Sequence, residues 1–233
     1  MICGIRLGCK TGKVIFTTGE GMSYPLAIFV SSVGIYSETF IQKHIQELLP
    51  GKTVVIAGSV APEENRFWET DCPMLVLADI VGPGDYQQQA VKIEKQITEF
   101  LGTHKVQVVL AEYLDVGLSV INKCKKIGVA IWGHAHGYDI SRRLKERTWQ
   151  EAYKQYNKAD GIITMSSFSR DKLLNIGIKP EKIHIIPYGV DIPLEINRDS
   201  QEGVIRCLFV GRMIAKKGPL ETLLAFNKAY ENC

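Results

Sequence analysis

Apolar runs alternate along the chain with segments in which apolar residues recur at helical spacing, from Pro25 onward. Most of the runs are continuous rather than alternating with polar residues, which is typical of strands buried on both faces of a parallel sheet. The pattern predicts strands at residues 26–33, 53–57, 74–79, 106–111, 129–132, 161–165, 182–186 and 206–210.

The segments between these runs predict helices. Residues 40–49 carry apolar positions, with His44 among them, on one helical face behind Ser37 as N-cap and Glu38 in the first turn. Further helices are predicted at about residues 90–101, 115–122, 141–157, 167–176 and 219–231. Strands that alternate with helices predict right-handed crossovers and an α/β fold, a Rossmann-like doubly wound parallel sheet, whose ligands bind at the carboxyl ends of the strands.

A polar, turn-rich stretch at residues 193–203 divides the chain into unequal parts. We expect an N-terminal extension at 1–24, one Rossmann-like domain at 25–192, a linker at 193–203, and the incomplete start of a second Rossmann-like domain at 204–233. One strand and one helix bury too little apolar surface to fold alone, so residues 204–233 are expected to be poorly ordered or docked on the first domain.

Composition and charge exclude several classes of protein. The 233 residues are 45% hydrophobic and 23% charged, which is ordinary for a globular protein, and no run of 18 apolar residues predicts a membrane span. A net charge of +3 gives no support for nucleic-acid binding. Six cysteines form no Cys-x-x-Cys pair, and the first 24 residues lack the apolar stretch of a signal peptide. We therefore expect a cytoplasmic protein in a reducing compartment.

Two segments place candidate chemistry after predicted strands. In residues 32–41, Gly34 makes a turn before a helix, where free N–H groups could face an anionic ligand; an ordinary strand-to-helix turn is the alternative. In residues 132–141, His134, His136 and Asp139 lie at the expected ligand edge. Zinc is a rival interpretation, opposed by the lack of a cysteine or a further histidine at ligand spacing, and a core histidine bonded to backbone is another.

Two later segments add to this pattern. Residues 159–170 lead through a predicted strand to Ser166, and residues 182–191 end in Tyr-Gly-Val-Asp. In residues 209–218, Arg212 and Lys217 follow a predicted strand and precede a helix, an arrangement that suits a diphosphate because guanidinium, ammonium and helix N-terminus all favour negative charge. A solvated basic turn is the alternative.

Together, and in this order, these segments resemble the family 4 glycosyltransferases of the GT-B fold. The resemblance covers about residues 25–233 and implies retaining transfer of a sugar from a nucleotide-diphosphate donor to an acceptor, with no cofactor and no metal ion. It assigns His136 to the transferred sugar near the reacting carbon and Arg212 and Lys217 to the donor diphosphate. The remaining cleft-lining positions that it implies, on the acceptor side, are Gly34, Ser37, Glu38, Asp139 and Ser166.

The resemblance also marks what this sequence lacks. Family members carry a Glu-x7-Glu element and a glycine turn later in the second domain, and neither occurs before residue 233. We therefore expect a hexosyltransferase-type enzyme, closest to those that build bacterial surface polysaccharide, that is inactive as this truncated chain. Its acceptor would be a glycan or a lipid-linked molecule, and a lipid would favour peripheral contact with the inner face of the membrane. The alternatives are a non-catalytic acceptor-binding half that pairs with a separate donor-binding chain, and a generic α/β nucleotide-binding domain.

Overall fold

The computed structural model describes residues 23–81, 86–189, 192 and 206–231. The chain divides into two compact units, Met1–Gly189 and Val190–Cys233. The predicted linker at 193–203 and nearly all of the predicted extension at 1–24 lie outside the described residues, so the predicted domain boundaries stay predictions. Among the described residues, no helix has the length and apolar character needed to span a membrane.

The first unit is built on a parallel sheet of seven strands. In space the strands follow the order β3-β2-β1-β4-β5-β6-β7, and every neighbouring pair is parallel. The order reverses between β1 and β4, which creates the switch point of a doubly wound fold. The strands are β1 (Leu26–Val33), β2 (Thr53–Val60), β3 (Met74–Val76), β4 (Val108–Glu112), β5 (Ala130–His134), β6 (Gly161–Thr164) and β7 (Ile183–Ile185).

Helices connect the strands and cover both faces of the sheet. They are α1 (Thr39–Glu47), α2 (Tyr86–Thr103), α3 (Leu114–Leu118), α4 (Ile121–Lys126), α5 (Gly137–Ser141), α6 (Arg147–Tyr153) and α7 (Ser167–Asn175) in the first unit, and α8 (Pro219–Glu231) in the second. Short 3-10 helices lie at Glu63–Asn65, Leu77–Asp79, Arg143–Lys145, Lys154–Lys158, Pro180–Lys182 and Ala215–Lys217.

Alternate residues of the central strand β1 enter two hydrophobic layers. Phe29 packs in the layer that contains Ile97 of α2, whereas Ile28 packs in the layer that contains Ile41 of α1. Successive side chains of a strand point to opposite faces, so a strand covered on both faces needs an unbroken apolar run. This is the physical reason that the continuous runs predicted the sheet correctly, and it confirms the Rossmann-like α/β fold.

Several predicted boundaries are corrected by the structure. The strand predicted at 74–79 ends at Val76 and continues as a 3-10 helix, and the strand predicted at 206–210 does not form. Leu208 and Val210 in that last segment are more than four-fifths exposed. A strand needs a neighbour for its backbone hydrogen bonds, and the described part of the second unit supplies none.

Three helix predictions are also corrected, and the one at 115–122 is divided between α3 and α4. Helix α1 has Glu38 rather than Ser37 at its N-cap position, and no side-chain hydrogen bond caps the helix there. The side chain of Ser37 is exposed. The single helix predicted at 141–157 is broken into α5, α6 and two 3-10 turns. Within the break, Leu144 is buried and the guanidinium of Arg143 pairs with Asp115 at 2.7 Å. These tertiary contacts outweigh the helical periodicity of the segment.

Candidate active site

A buried glutamate lies where strands β4 and β5 end. Glu112 is the last residue of β4 and pairs in register with His134, the last residue of β5. His136 follows directly before α5, and His44 reaches the same place from α1. The fold thus brings four polar side chains to the carboxyl edge of the sheet, where open α/β sheets bind their ligands.

The carboxylate of Glu112 contacts three imidazole rings. Oε1 lies 2.6 Å from Nδ1 of His44, while Oε2 lies 3.0 Å from Nδ1 of His134 and 2.8 Å from Nε2 of His136. Burial by itself would raise the pKa of Glu112, but the hydrogen bonds from the three histidines outweigh it and hold that pKa well below its usual range. Glu112 is therefore ionised at neutral pH.

The contacts of His136 define its tautomer. A carboxylate only accepts hydrogen bonds, so Nε2 of His136 carries the hydrogen and Nδ1 of the neutral ring is an acceptor. The hydroxyl of Tyr188, just beyond β7, lies 2.9 Å from Nδ1 and donates to it. Burial lowers the pKa of His136 despite the opposing effect of Glu112, which favours the neutral ring. Both ring nitrogens of His136 are engaged by protein groups.

Aromatic rings surround His136 and fix its orientation. The ring of Tyr113 lies 4.5 Å from it and that of Phe40 lies 4.6 Å from it, measured between centroids. Phe40 also stacks on Tyr188 at 5.4 Å. His136 is consequently only 7% exposed.

Asp139 supports this histidine from behind. Its Oδ2 accepts the backbone N–H of His136 at 2.8 Å, and its Oδ1 accepts the backbone N–H of Leu114 and the hydroxyl of Tyr153. Burial raises the pKa of Asp139 to about 7, against these hydrogen bonds. Asp139 is fully buried, so it does not line an open cleft. Its hydrogen bonds instead position helix α5.

The turn at Gly34 leads from β1 into the cluster. Gly34 has a φ of +92°, and a Cβ there would lie 2.7 Å from Cγ of Arg66. Its carbonyl accepts the N–H of Phe67 at 3.0 Å. Glycine is required here both by the backbone angle and by the close approach of the loop after β2.

Glu38 is joined to the cluster, whereas Ser37 is exposed beside it. The hydroxyl of Tyr113 donates to Oε1 of Glu38 at 2.8 Å, and Tyr113 in turn packs on His136. Burial raises the pKa of Glu38 above its usual value, opposed by the bond from Tyr113. Of the predicted site residues, Glu38, His136 and Asp139 therefore belong to one contact network.

Three predicted site residues remain, namely Ser166, Arg212 and Lys217. Ser166 is the N-cap of α7, where its hydroxyl accepts the N–H of Ser169 at 3.3 Å, a sufficient structural reason for a serine. Arg212 and Lys217 are exposed in the second unit, in the turn that precedes α8. Their assignment to a diphosphate stays a prediction.

Sequence reasoning missed three residues that organise the cluster: Glu112, His44 and Tyr188. Glu112 lies one position beyond the strand predicted at 106–111. A charged residue at the end of a buried strand is the one sequence feature that could have indicated a site residue there. His44 fits the helical spacing of residues 40–49, and Tyr188 belongs to the Tyr-Gly-Val-Asp segment, so neither stands out in the sequence. His44 meets Glu112 across 68 positions of sequence and Tyr188 meets His136 across 52, so only the fold shows these contacts.

The cluster also contains a set of potential metal ligands. One ring nitrogen each of His44 and His134 and a carboxylate oxygen of Glu112 all lie within 4.8 Å of one another. Nε2 of His134 is buried and has no hydrogen-bond partner in the described part of the chain.

Comparisons with known proteins agree with this architecture. The model of Glycosyltransferase Family 4 matches residues 52–193. Among solved structures, the apo form of the lipopolysaccharide outer core galactosyltransferase WaaB aligns with 13% identity and a TM-score of 0.50, over 75% of this chain and 50% of that one. HepE from Anabaena, in complex with UDP and glucose, aligns with 13% identity and a TM-score of 0.54, over 71% and 45%.

A second HepE structure, in complex with UDP-glucose, aligns with 14% identity and a TM-score of 0.53, over 71% of this chain and 44% of that one. At these identities the likeness is one of fold, and the chain spans about half the length of the solved chains that it matches. The comparison with curated proteins found no match. Since the family model covers more than half of the residues, the chain belongs to glycosyltransferase family 4.

Proposed function

We propose that this protein contributes the acceptor side of a retaining glycosyltransferase that moves a hexose from a nucleotide-diphosphate sugar to a glycan or lipid-linked acceptor in surface polysaccharide synthesis. The observation that carries the proposal is the His136 network at the carboxyl edge of the sheet, in a chain that belongs to glycosyltransferase family 4. The sugar-nucleotide complexes of HepE support a nucleotide-sugar donor.

His136 would act at the transferred sugar. Its Nδ1 is held by the Tyr188 hydroxyl, which is itself on a half-exposed side chain. A sugar hydroxyl that took the place of the Tyr188 hydroxyl would donate to the same lone pair, while the bond from Nε2 to Glu112 kept the ring in one tautomer. Such a preorganised acceptor would orient the sugar at the cost of little rearrangement.

The leaving diphosphate would be stabilised by Arg212 and Lys217 instead of a metal ion. Charge develops on the diphosphate as the bond to the sugar breaks, and cationic side chains at a helix N-terminus stabilise that charge. The turn that carries both residues ends at Gly218, which has a φ of +63° and precedes α8. Because the chain spans half of the structures that it resembles, we propose that turnover also requires a complete donor domain.

A panel of nucleotide-diphosphate sugars tests the proposal on a chain extended by its downstream reading frame. Calorimetry is expected to find a donor whose binding collapses in Arg212→Ala, and product NMR is expected to find a retained anomeric configuration. His136→Ala should abolish sugar transfer yet keep donor binding, whereas His184→Ala, at an exposed histidine of β7, should keep both. Unchanged donor affinity in Arg212→Ala would reject the diphosphate assignment.

A second candidate function is that the chain binds the acceptor and pairs with a separate donor-binding protein. The reading frame after residue 233 separates the two: continuation into a Glu-x7-Glu segment supports a single-chain transferase, and a stop followed by a gene for a donor domain supports the pair.

A further inference from the structure

The carboxylate of Glu112 has an unusual set of partners for a buried anion. Its side chain is 0% exposed, and every ionic partner described for it is a histidine, with no lysine or arginine among the described residues that contact it. A buried carboxylate without a permanent cation is costly, because a histidine supplies a full positive charge only when it is protonated. The site therefore has the negative charge that a bound cation would compensate.

The geometry points to a binding site for a zinc-class divalent ion, formed by His44, Glu112 and His134. One ligand atom from each lies within 4.8 Å of the other two. At zinc bond lengths of 2.0–2.1 Å, two ligands of a tetrahedral ion are roughly 3.3 Å apart. The separations of 2.6 and 3.0 Å between the carboxylate oxygens and the two Nδ1 atoms would open slightly to reach that spacing, and any pair near the 4.8 Å limit would close by shifts of about 1 Å on each side. Three different elements, α1, β4 and β5, would thereby be joined.

The donor chemistry selects the class of metal. Two imidazole nitrogens and one carboxylate favour zinc, or another late first-row ion such as cobalt or nickel, over magnesium and calcium, which prefer oxygen ligands. Three protein ligands leave a fourth position for water. A ligating nitrogen must be deprotonated, so the ion would replace the hydrogen between each Nδ1 and Glu112, and each neutral ring would carry its hydrogen on Nε2 instead.

Surrounding contacts would hold the ligands in place. Nε2 of His136 bonds Oε2 of Glu112 at 2.8 Å, and a hydrogen bond to a ligating carboxylate is the usual support around a protein metal site. His134 is 3% exposed and its Nε2 has no partner among the described residues. The second ring nitrogen of that histidine therefore makes no competing bond that would fix the ring against a small reorientation.

The positions of His44, Glu112 and His134 also remove the reason for which the sequence disfavoured a zinc site. Zinc was disfavoured because no further histidine follows His134 and His136 at ligand spacing. The fold supplies the missing ligands from α1 and from the end of β4, two places that no local motif connects. The proposed ion is independent of sugar transfer, and its test does not require an active enzyme.

The test uses the full 233-residue chain, reduced and treated with a chelator. Titration with Zn²⁺ in a calorimeter is expected to show one site per chain. Co²⁺ is expected to give the visible absorption of a tetrahedral or five-coordinate ion without a thiolate-to-cobalt charge-transfer band, which separates this site from the six cysteines. Absence of stoichiometric binding, or a spectrum dominated by thiolate ligation, would overturn the proposal.

A pair of histidine variants locates the ion. His44→Gln lies on a surface helix and is expected to keep the fold, as checked by circular dichroism, yet weaken Zn²⁺ binding by about 100-fold or more, beyond the 10- to 100-fold typical of residues outside the coordination shell. His184→Gln, at a histidine outside the cluster, should bind as the parent does. Equal affinities in the two variants would also overturn the assignment, and the Co²⁺ spectrum of the parent decides the matter if His44→Gln does not fold.

Discussion

The hydroxyl of Tyr188 donates a 2.9 Å hydrogen bond to Nδ1 of His136 and so joins the segment after β7 to the segment after β5. Burial and the nearby charge of Glu112 raise the pKa of Tyr188 above its usual range, so the hydroxyl keeps its proton across the neutral range. The tautomer of His136 is therefore determined from both sides of the ring.

Tyr188→Phe is expected to lower the free energy of unfolding by about 1 kcal/mol, because one hydrogen bond is lost and the ring packing is kept. Urea unfolding measures the change, and nitrogen-15 NMR should show that Nδ1 of His136 loses its hydrogen bond while Nε2 remains protonated. Tyr138→Phe, at an exposed tyrosine of α5, is the matched control and should stay within about 0.5 kcal/mol of the parent. Equal effects of the two changes would contradict the specific bond.

Glu112→Gln is expected to destabilise the metal-free protein by about 3 kcal/mol, since three imidazole N–H groups lose an ionised acceptor in a buried site. The depressed pKa of Glu112 gives a pH signature. Its contribution is present above the ordinary value of 4.5 and is lost as the pH falls below it. Urea unfolding in the presence of a chelator measures both effects.

Glu99→Gln is the matched control for that change, because Glu99 is an exposed residue of α2 paired at 3.7 Å with Lys95. We expect it to alter the free energy of unfolding by less than about 0.5 kcal/mol. A similarly small effect of Glu112→Gln would show that the three histidines do not depend on its charge.

Asp139 predicts a pH dependence of opposite sign. Burial raises its pKa from an ordinary 3.8 to about 7, so the folded protein binds a proton more tightly than the unfolded chain does. The stability that this group contributes is greatest below about pH 4 and is lost as the pH rises toward 7, with a slope of up to about 1.4 kcal/mol per pH unit.

Asp139→Asn removes this titration and should flatten the profile relative to the parent. The free energies of unfolding of the two proteins are measured between pH 5 and pH 8, a range that includes the raised pKa of Asp139 at about 7. The slopes of the two plots of free energy against pH are then compared. If the parent gains stability relative to Asp139→Asn as the pH rises, the hydrogen bonds from His136, Leu114 and Tyr153 dominate over burial, and Asp139 is ionised.

Gly34→Ala is expected to cost about 1–3 kcal/mol, because the new Cβ would meet Cγ of Arg66 at 2.7 Å on a backbone with positive φ. Gly102→Ala is the matched control: Gly102 lies within α2, nothing is within 4 Å of its added Cβ, and the change should stabilise the protein by about 0.5–1 kcal/mol. Thermal unfolding of both variants checks the opposite signs.

The sheet was predictable from sequence because a strand that is buried on both faces has a continuous apolar run, which can be recognised in the strand's own residues. Strand β1 was predicted at its observed bounds, since each of its first five residues must be apolar to be buried. The strand predicted at 206–210 failed for the complementary reason. An apolar run indicates that its residues are suited to burial in a sheet. Whether they form a strand depends on a partner strand elsewhere in the chain.

The candidate site was only partly predictable. His136 and Asp139 were predicted as site candidates because they follow a predicted strand at the ligand edge, and the family resemblance added Glu38. Glu112 and His44 were not predicted as site residues. Their contacts depend on the register that pairs β4 with β5 and on the packing of α1 against the sheet. Such contacts arise from three-dimensional proximity, which no local pattern encodes.

The neighbouring positions of β1 and β4 in the sheet have a consequence for how the chain folds. Leu26 pairs with Val108, so β1 waits for the synthesis of about 80 further residues before its central neighbour exists. At translation rates of about 5–20 residues per second this is a delay of roughly 4–16 s. During that interval one edge of β1 has unpaired backbone N–H and C=O groups, and pairing over such a separation is intrinsically slow. Refolding is therefore expected to be limited by the closure of β1 on β4, and the contact between His44 of α1 and Glu112 of β4 forms only after that step.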